Sequence, residues 1–218
     1  MATKKAEETG RKILDAALDL FREEGFEQTT MRAIAARAGV ATGAAYYYFP
    51  SKDAIVLAFY EQACADMQPR MAEALESADG LEARLRELIR AKLKSFAGYR
   101  AVLRALLRNG ADPKHPISPF SPETKTIRDT DLAWFAKALD GVRVPRDLAP
   151  ELPAILWMLQ MGVIYFWVTD DSVNQSRTTR LLELGVKASA ALVRLSGLPL
   201  MRPVRKVALE LIATVKGD

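Results

Sequence analysis

Apolar residues recur three and four positions apart along almost the whole chain, and no stretch alternates apolar with polar long enough to read as a half-buried strand. That single periodicity predicts an all-α fold. With 218 residues, half of them apolar, the chain is long enough to bury a sizeable core. One cysteine, Cys64, excludes a disulfide framework, and one histidine, His115, rules out a histidine-rich metal centre. No metal and no cofactor is expected.

Glycine, proline and capping residues punctuate the pattern. A first helix is expected over 9–24, with Ile13, Leu14, Ala17, Leu18 and Phe21 on one face and Gly25 as a left-handed stop. Thr30 is a good N-cap for a second helix in which Met31, Ile34, Ala35 and Ala38 point inward, and Gly39 ends it after two turns. A third short helix follows over 41–49, closed by Pro50. Ser51 then caps a long fourth helix over 52–76, with Asp53 favourably placed in its first turn. Further helices are expected over 81–96, 99–108, 123–139, 149–168 and 174–196. After Pro199 and Pro203 comes a last one, in which Val204, Val207, Ala208, Leu211 and Val215 share a face. Residues 109–122 carry Gly110, Pro113, Pro116, Pro119 and Pro122 and are expected to form a loop.

Three short helices with a tight turn at Gly39-Val40 make a helix-turn-helix pattern. In such a unit one helix lies across the phosphate backbone while the next enters a major groove about 12 Å wide. Gly39 permits the backbone turn, and Ala35 and Val40 fill the small core between the two helices. Thr30 and Lys52 stand at helix starts, where backbone N–H groups and the helix dipole favour a phosphate, and Arg32 is a further candidate for backbone contact.

Net charge is a poor witness here. Lysine and arginine number 31 against 27 acidic residues, for +4 overall. Residues 1–52 hold 8 basic and 7 acidic side chains, so a nearly neutral reading head predicts only a modest dependence of DNA binding on salt. Residues 84–114 hold 9 basic against 2 acidic side chains. That run is usually a solvated face, but its C-terminal end is expected near the DNA-binding unit, where it adds to the field over the phosphates.

The residues Thr29-Thr30-Met31-Arg32-Ala33-Ile34-Ala35, Ala38-Gly39-Val40, Gly43, Tyr46-Tyr47-Tyr48-Phe49 and Ser51-Lys52 resemble the DNA-binding domain of TetR-family transcriptional regulators, without a gap over about residues 9–57. The resemblance implies a homodimeric repressor whose C-terminal bundle holds a small-molecule pocket. It also implies that bases and phosphates are read chiefly from the third helix, through Thr42, Gly43, Ala44, Tyr46 and Tyr47. Two positions depart from the family pattern: Ala41 stands where Ser or Thr is usual, and Thr42 where Lys is common. Thr42 is either the substitute cap or a base reader. Tyr48 and Phe49 are expected in the core, and Arg37 is as readily a solvated charge as a phosphate contact. The expected division is a helix-turn-helix domain over 1–52 and a helical effector-binding and dimerisation domain over 53–218.

The helix expected over 149–168 is apolar nearly all round and needs cover on both faces. Paired with the small-residue helix over 174–196, it would form a four-helix interface with a second copy. Phe59, Met67, Phe96, Tyr99, Trp134, Trp157, Gln160 and Met161 are candidates to line a pocket for an apolar or aromatic effector, although such stripes are more often plain core. The rival reading is an effector-independent DNA-binding dimer. An enzyme is not expected: His115 lacks an evident catalytic partner and reads as a solvated loop residue. The N-terminus lacks the apolar core of a secretory signal, and the longest apolar run, 154–168, is shorter than the roughly 20 residues of a membrane span. A cytoplasmic location away from membranes is expected.

Overall fold

The structure is a computed structural model that describes the backbone of residues 2–216 and the side chains of 5–210, 213 and 214. Leu211 and Val215 of the last expected apolar face lie outside the described side chains. All repetitive structure among the described residues is helical. The chain forms two compact units: one gathers residues up to Gln68 together with Lys94–Asp129, the other Pro69–Leu93 together with residues from Thr130 onward.

In the first unit, α1 (Ala2–Glu23) begins seven residues before the expected start. Residues 2–8 are mostly alanine, lysine and glutamate, which hold a helix by propensity and need no apolar face. Its stop, Gly25, has φ +87°. Thr30 caps α2 (Met31–Ala38), its Oγ1 accepting the Ala33 N–H at 3.1 Å. Gly39 follows with φ 69° and ψ 33°, and the Val40 N–H reaches back to the Ala35 carbonyl at 3.0 Å. The short α3 (Thr42–Tyr48) leads to α4 (Lys52–Glu76), where Ser51 Oγ accepts the Ala54 N–H at 3.1 Å. Pro69 lies inside α4.

The helix α5 (Gly80–Phe96) passes through a single 3-10 turn into α6 (Arg100–Gly110), which packs on α1. Asn109 and Gly110, expected in the loop, thus complete α6 instead. The proline-rich segment after it is tightly bonded: Ser118 Oγ donates to the Gly110 carbonyl at 2.9 Å and Thr124 Oγ1 to that of Ser118 at 2.7 Å. His115 is not a solvated residue. It is half-buried, its ring edge-on to Phe26 at 6.2 Å, with the Ile117 N–H directed at Nδ1.

The second unit takes in the later part of α7 (Lys125–Ala138), with α8 (Leu152–Thr169), α9 (Ser176–Ser196) and α10 (Arg202–Lys216). Helix α8 starts three residues later than expected, because residues before it close into tight turns and Pro153 is accommodated in its first turn. It has 18 residues, so the apolar element is longer than the run 154–168 and is long and apolar enough to cross a membrane by length and composition. It packs on α9 as a core helix. A Cβ on Gly185 would stand 2.9 Å from Leu159 Cδ1, so glycine allows the close approach.

Helix α9 begins at Ser176 rather than 174, because Asn174 and Gln175 both take φ +51°. Asp170 anchors this corner: its carboxylate accepts from Thr178 Oγ1 at 2.6 Å, the Thr178 N–H at 2.9 Å and the Ser172 N–H at 3.0 Å. The Thr178 hydroxyl bond above all holds the carboxyl far below its usual range. Pro203 falls inside the first turn of α10 instead of before it, and Arg205 ties that helix to Asp147 and to the Ser196 carbonyl at 2.7 Å each.

Candidate nucleic-acid interface

Helix α3 has an exposed face and a packing face, separated by what each side chain touches. Ala45 is its buried residue and seats it on the unit. Tyr48 and Phe49 are half-buried rather than fully in the core. The Tyr48 ring lies over Gly10 of α1, where a Cβ would come 3.6 Å from Cδ1. On the other side Tyr46 and Tyr47 are 51% and 84% exposed. Apart from the edge-on contact of Tyr47 with the Tyr48 ring at 5.4 Å, these large aromatic rings stand in water and add little to the fold, and each presents a flat apolar body with a phenol at its tip.

At the start of α3 Thr42 is not the substitute cap. Ala41 occupies the N-cap position with extended backbone and no side-chain cap bond, and Thr42 is the first helical residue, exposed. Its hydroxyl is therefore not used as a cap. Gly43 is exposed with nothing within 4 Å of where a Cβ would stand, and Ala44 is half-buried. Together these residues present a low, open helix start over which a phosphate or base edge meets no side-chain bulk.

The flanking candidates divide by role. Arg32 is exposed near the start of α2. Thr30 is exposed too, but its oxygen accepts the cap bond, leaving its O–H to donate. Arg37 is an exposed charge but not a free one: it pairs with Glu23 at 2.8 Å, clasping α2 to α1 and drawing the Glu23 carboxyl below its ordinary value. The Lys52 ammonium points into the unit, donating to the Phe26 carbonyl at 2.6 Å and to that of Glu27 at 3.3 Å, and lies 4.6 Å from the Phe26 ring centre. Asn109 Nδ2 donates to Glu27 Oε1 at 2.5 Å. The loop between α1 and α2 is thus held by Lys52 of α4 and Asn109 of α6, a function that sequence reasoning did not find. These partners lie 25 to 82 residues apart, and no local pattern announces them.

The basic run splits in two. Arg84 donates to the carbonyls of Ala138 and Asp140, Arg86 and Arg90 pair with Glu183, and Lys92 is buried on Asp131, all in the second unit. Arg100, Arg104 and Arg108 belong to α6, which packs on α1, so only this end contributes charge to the unit carrying the helix-turn-helix.

The candidate pocket residues also divide. Phe59, Met67, Phe96 and Tyr99 lie in the first unit, where the Phe59 ring sits 4.9 Å from Tyr99 and 6.4 Å from Phe96. Trp134, Trp157, Gln160 and Met161 lie in the second, where Trp157, Gln160 and Met161 are buried and Trp134 is half-buried under the Lys137 ammonium at 4.6 Å. Gln160 Nε2 donates to Asp131 Oδ2 at 3.2 Å, beside a Lys92–Asp131 pair at 2.7 and 2.8 Å.

Known proteins share this arrangement. The family profile described as bacterial regulatory proteins, tetR family, matches residues 13–59, and that described as tetracyclin repressor-like, C-terminal domain, matches residues 84–209. The fatty acid metabolism regulator protein of Bacillus subtilis is 30% identical over 86 residues, 39% of this chain and 44% of that protein, so the chain spans under half of that relative's length. Among solved structures, a protein of Syntrophomonas wolfei assigned to the TetR-family transcriptional regulators superposes with a TM-score of 0.66 at 24% identity, covering 85% of this chain and 96% of the other. The regulator FadR of Bacillus subtilis, solved in complex with stearoyl-CoA, superposes with a TM-score of 0.64 at 20% identity, covering 81% and 97%. With one profile on the helix-turn-helix and a second spanning more than half of the chain, this protein belongs to the TetR family of transcriptional regulators.

Proposed function

We propose that the protein is a repressor that binds palindromic operator DNA as a homodimer and is released by a small apolar or aromatic effector. The carrying observation is the bare face of α3. Tyr46 and Tyr47 stand in solvent beside an uncapped helix start at which Thr42 and Gly43 are open. In this reading Thr42, Gly43 and Ala44 approach the bases, the Ala44 methyl meeting a thymine methyl, and the two tyrosines bond phosphate while covering sugar. Thr30 and Arg32 add backbone contacts. Lys52 acts from behind, holding the α1–α2 loop that sets the angle of α2. A regulator of this kind works where the chromosome is, in the cytoplasm.

Dimerisation is supported by the outer faces of α8 and α9. Ile155, Met158 and Phe166 on one, and Leu181, Leu184, Leu192 and Leu195 on the other, are exposed, with Met158 at 52% and Leu192 at 59%. Exposed apolar side chains along two packed helices suit an interface, and an isologous pairing would cover them at once in both copies. Two α3 helices would then meet successive major grooves about 34–36 Å apart.

An effector is expected to act through α4, which begins at the DNA-binding unit with Lys52 and runs past Pro69 to Glu76. The stearoyl-CoA of the Bacillus subtilis relative makes an acyl chain one suitable chemistry for the apolar lining. Footprinting the purified protein on genomic DNA tests the operator reading: protection of a palindrome supports it, and protection without two-fold symmetry overturns it. Thermal stabilisation by an apolar and aromatic compound library tests the sensor, because a ligand that binds only the folded state must raise its stability. A library without a single stabilising compound would leave a dimer whose bundle serves assembly alone.

A further inference from the structure

The second unit buries an arrangement that its fold does not need. Lys92 of α5, Asp131 of α7 and Gln160 of α8 meet, and buried Leu88, Phe135, Leu156 and Trp157 stand one helical turn away along the same helices. Lys92 and Asp131 complete each other, the ammonium bonding both carboxylate oxygens. Gln160 adds one long bond, 3.2 Å from Nε2 to Asp131 Oδ2, and is itself 0% exposed.

That bond fixes which way the amide faces. A carboxylate paired with an ammonium only accepts, so Gln160 must turn its NH₂ toward Asp131. The reversed amide would set Oε1 against Oδ2, two acceptors with no proton between them. Gln160 Oε1 is therefore the atom left over, and it is buried without a hydrogen-bond partner. A buried carbonyl oxygen with nothing to accept from costs folding free energy that leucine or methionine at this position would avoid. The uncompensated group is an acceptor, so whatever satisfies it must be a donor.

We infer that the effector carries a hydrogen-bond donor, a hydroxyl or an amide N–H, that bonds Gln160 Oε1, with its apolar body against the Trp157 and Met161 side of α8. This deepens the effector reading above and rests on it. The site then selects by chemistry as well as by size. An apolar compound of the same shape but without the donor leaves Oε1 unsatisfied and binds more weakly, by about tenfold or more.

The test uses the full-length protein and matched compound pairs differing only in the donor: n-alkanols and their methyl ethers, naphthols and methoxynaphthalenes, alkanamides and their N,N-dimethyl derivatives. Binding is read by tryptophan fluorescence and calorimetry, on wild type and on Gln160→Met, which keeps the volume and removes Oε1. The expected result is that donor-bearing members of at least one pair bind about tenfold or more tightly to wild type, with the discrimination lost in Gln160→Met. Equal binding of both members to wild type, or discrimination unchanged in Gln160→Met, overturns the donor inference and leaves the effector reading standing. If no member of any pair binds wild type, both fall. Should Gln160→Met not fold, the wild-type comparison decides alone.

Discussion

Replacing Lys92 with methionine isolates the energetics of the buried polar centre. Methionine is close in length to the lysine stem and fills most of its space, so the cavity contribution is small. What changes is electrostatic. The Asp131 carboxylate, 6% exposed, loses the ammonium that bonds both its oxygens and keeps only the longer bond from Gln160. Removing one member of a buried pair costs about 3–5 kcal/mol, because the remaining charge stays desolvated. Against a typical total of about 5–15 kcal/mol, that is a large fraction of the stability. The double variant Lys92→Met/Asp131→Leu removes both charges and is expected to recover most of the loss, since an apolar pair of similar volume is often as stable as the ions it replaces. Urea unfolding followed by circular dichroism, at one fixed protein concentration because assembly contributes to stability, gives the three differences. A single-variant loss under about 1 kcal/mol, or a double variant as unstable as the two single losses combined, would refute the reasoning.

Other outcomes follow from named contacts. Asp170 has a folded-state carboxyl well below its ordinary value because Thr178 and Ser172 bond the ionised form, so its contribution is present above the unfolded carboxylate value of about 4 and is lost as pH falls below it. Thermal unfolding from pH 6 down to pH 3 should show a shallower decline for Asp170→Asn than for wild type; parallel curves would contradict this. Leu192→Glu, on the exposed face of α9, is expected to shift sedimentation from dimer to monomer at micromolar protein with helix content unchanged, whereas an unmoved sedimentation coefficient would place the interface elsewhere. Lys52→Met frees the carbonyls of Phe26 and Glu27 and is expected to weaken operator binding at least as much as Arg32→Ala; unaltered affinity would show that the α1–α2 loop holds itself.

What the sequence made legible was local chemistry. Thr30, Gly39 and Ser51 act within four residues of their own positions, and the structure shows each in its expected capping or turning role. The apolar stripes of α1 and α2 are likewise readable, since a helix carries its own period. Helix starts were less legible where propensity or backbone strain rules instead of apolar spacing: residues 2–8 extend α1, and the left-handed Asn174 and Gln175 delay α9. Least legible were the long-range polar contacts. Nothing near Lys92 points to Asp131, 39 residues on, nor does Lys52 announce the carbonyls it holds 25 and 26 residues back. Gln160 is a polar break in an apolar helix, but only the structure shows which of its two amide atoms is satisfied.

In the proposed function α3 reads DNA through its exposed tyrosines. The most direct test of this reading is the dissociation constant of the full-length protein for its footprinted operator, with Tyr47→Ala beside wild type at one fixed salt concentration. At 84% exposure the Tyr47 side chain contributes little to packing, so the variant should fold and assemble as wild type does. Operator binding is expected to weaken by about tenfold, the size of one lost phosphate or base contact, with sedimentation unchanged. Equal affinity of the two proteins would contradict it.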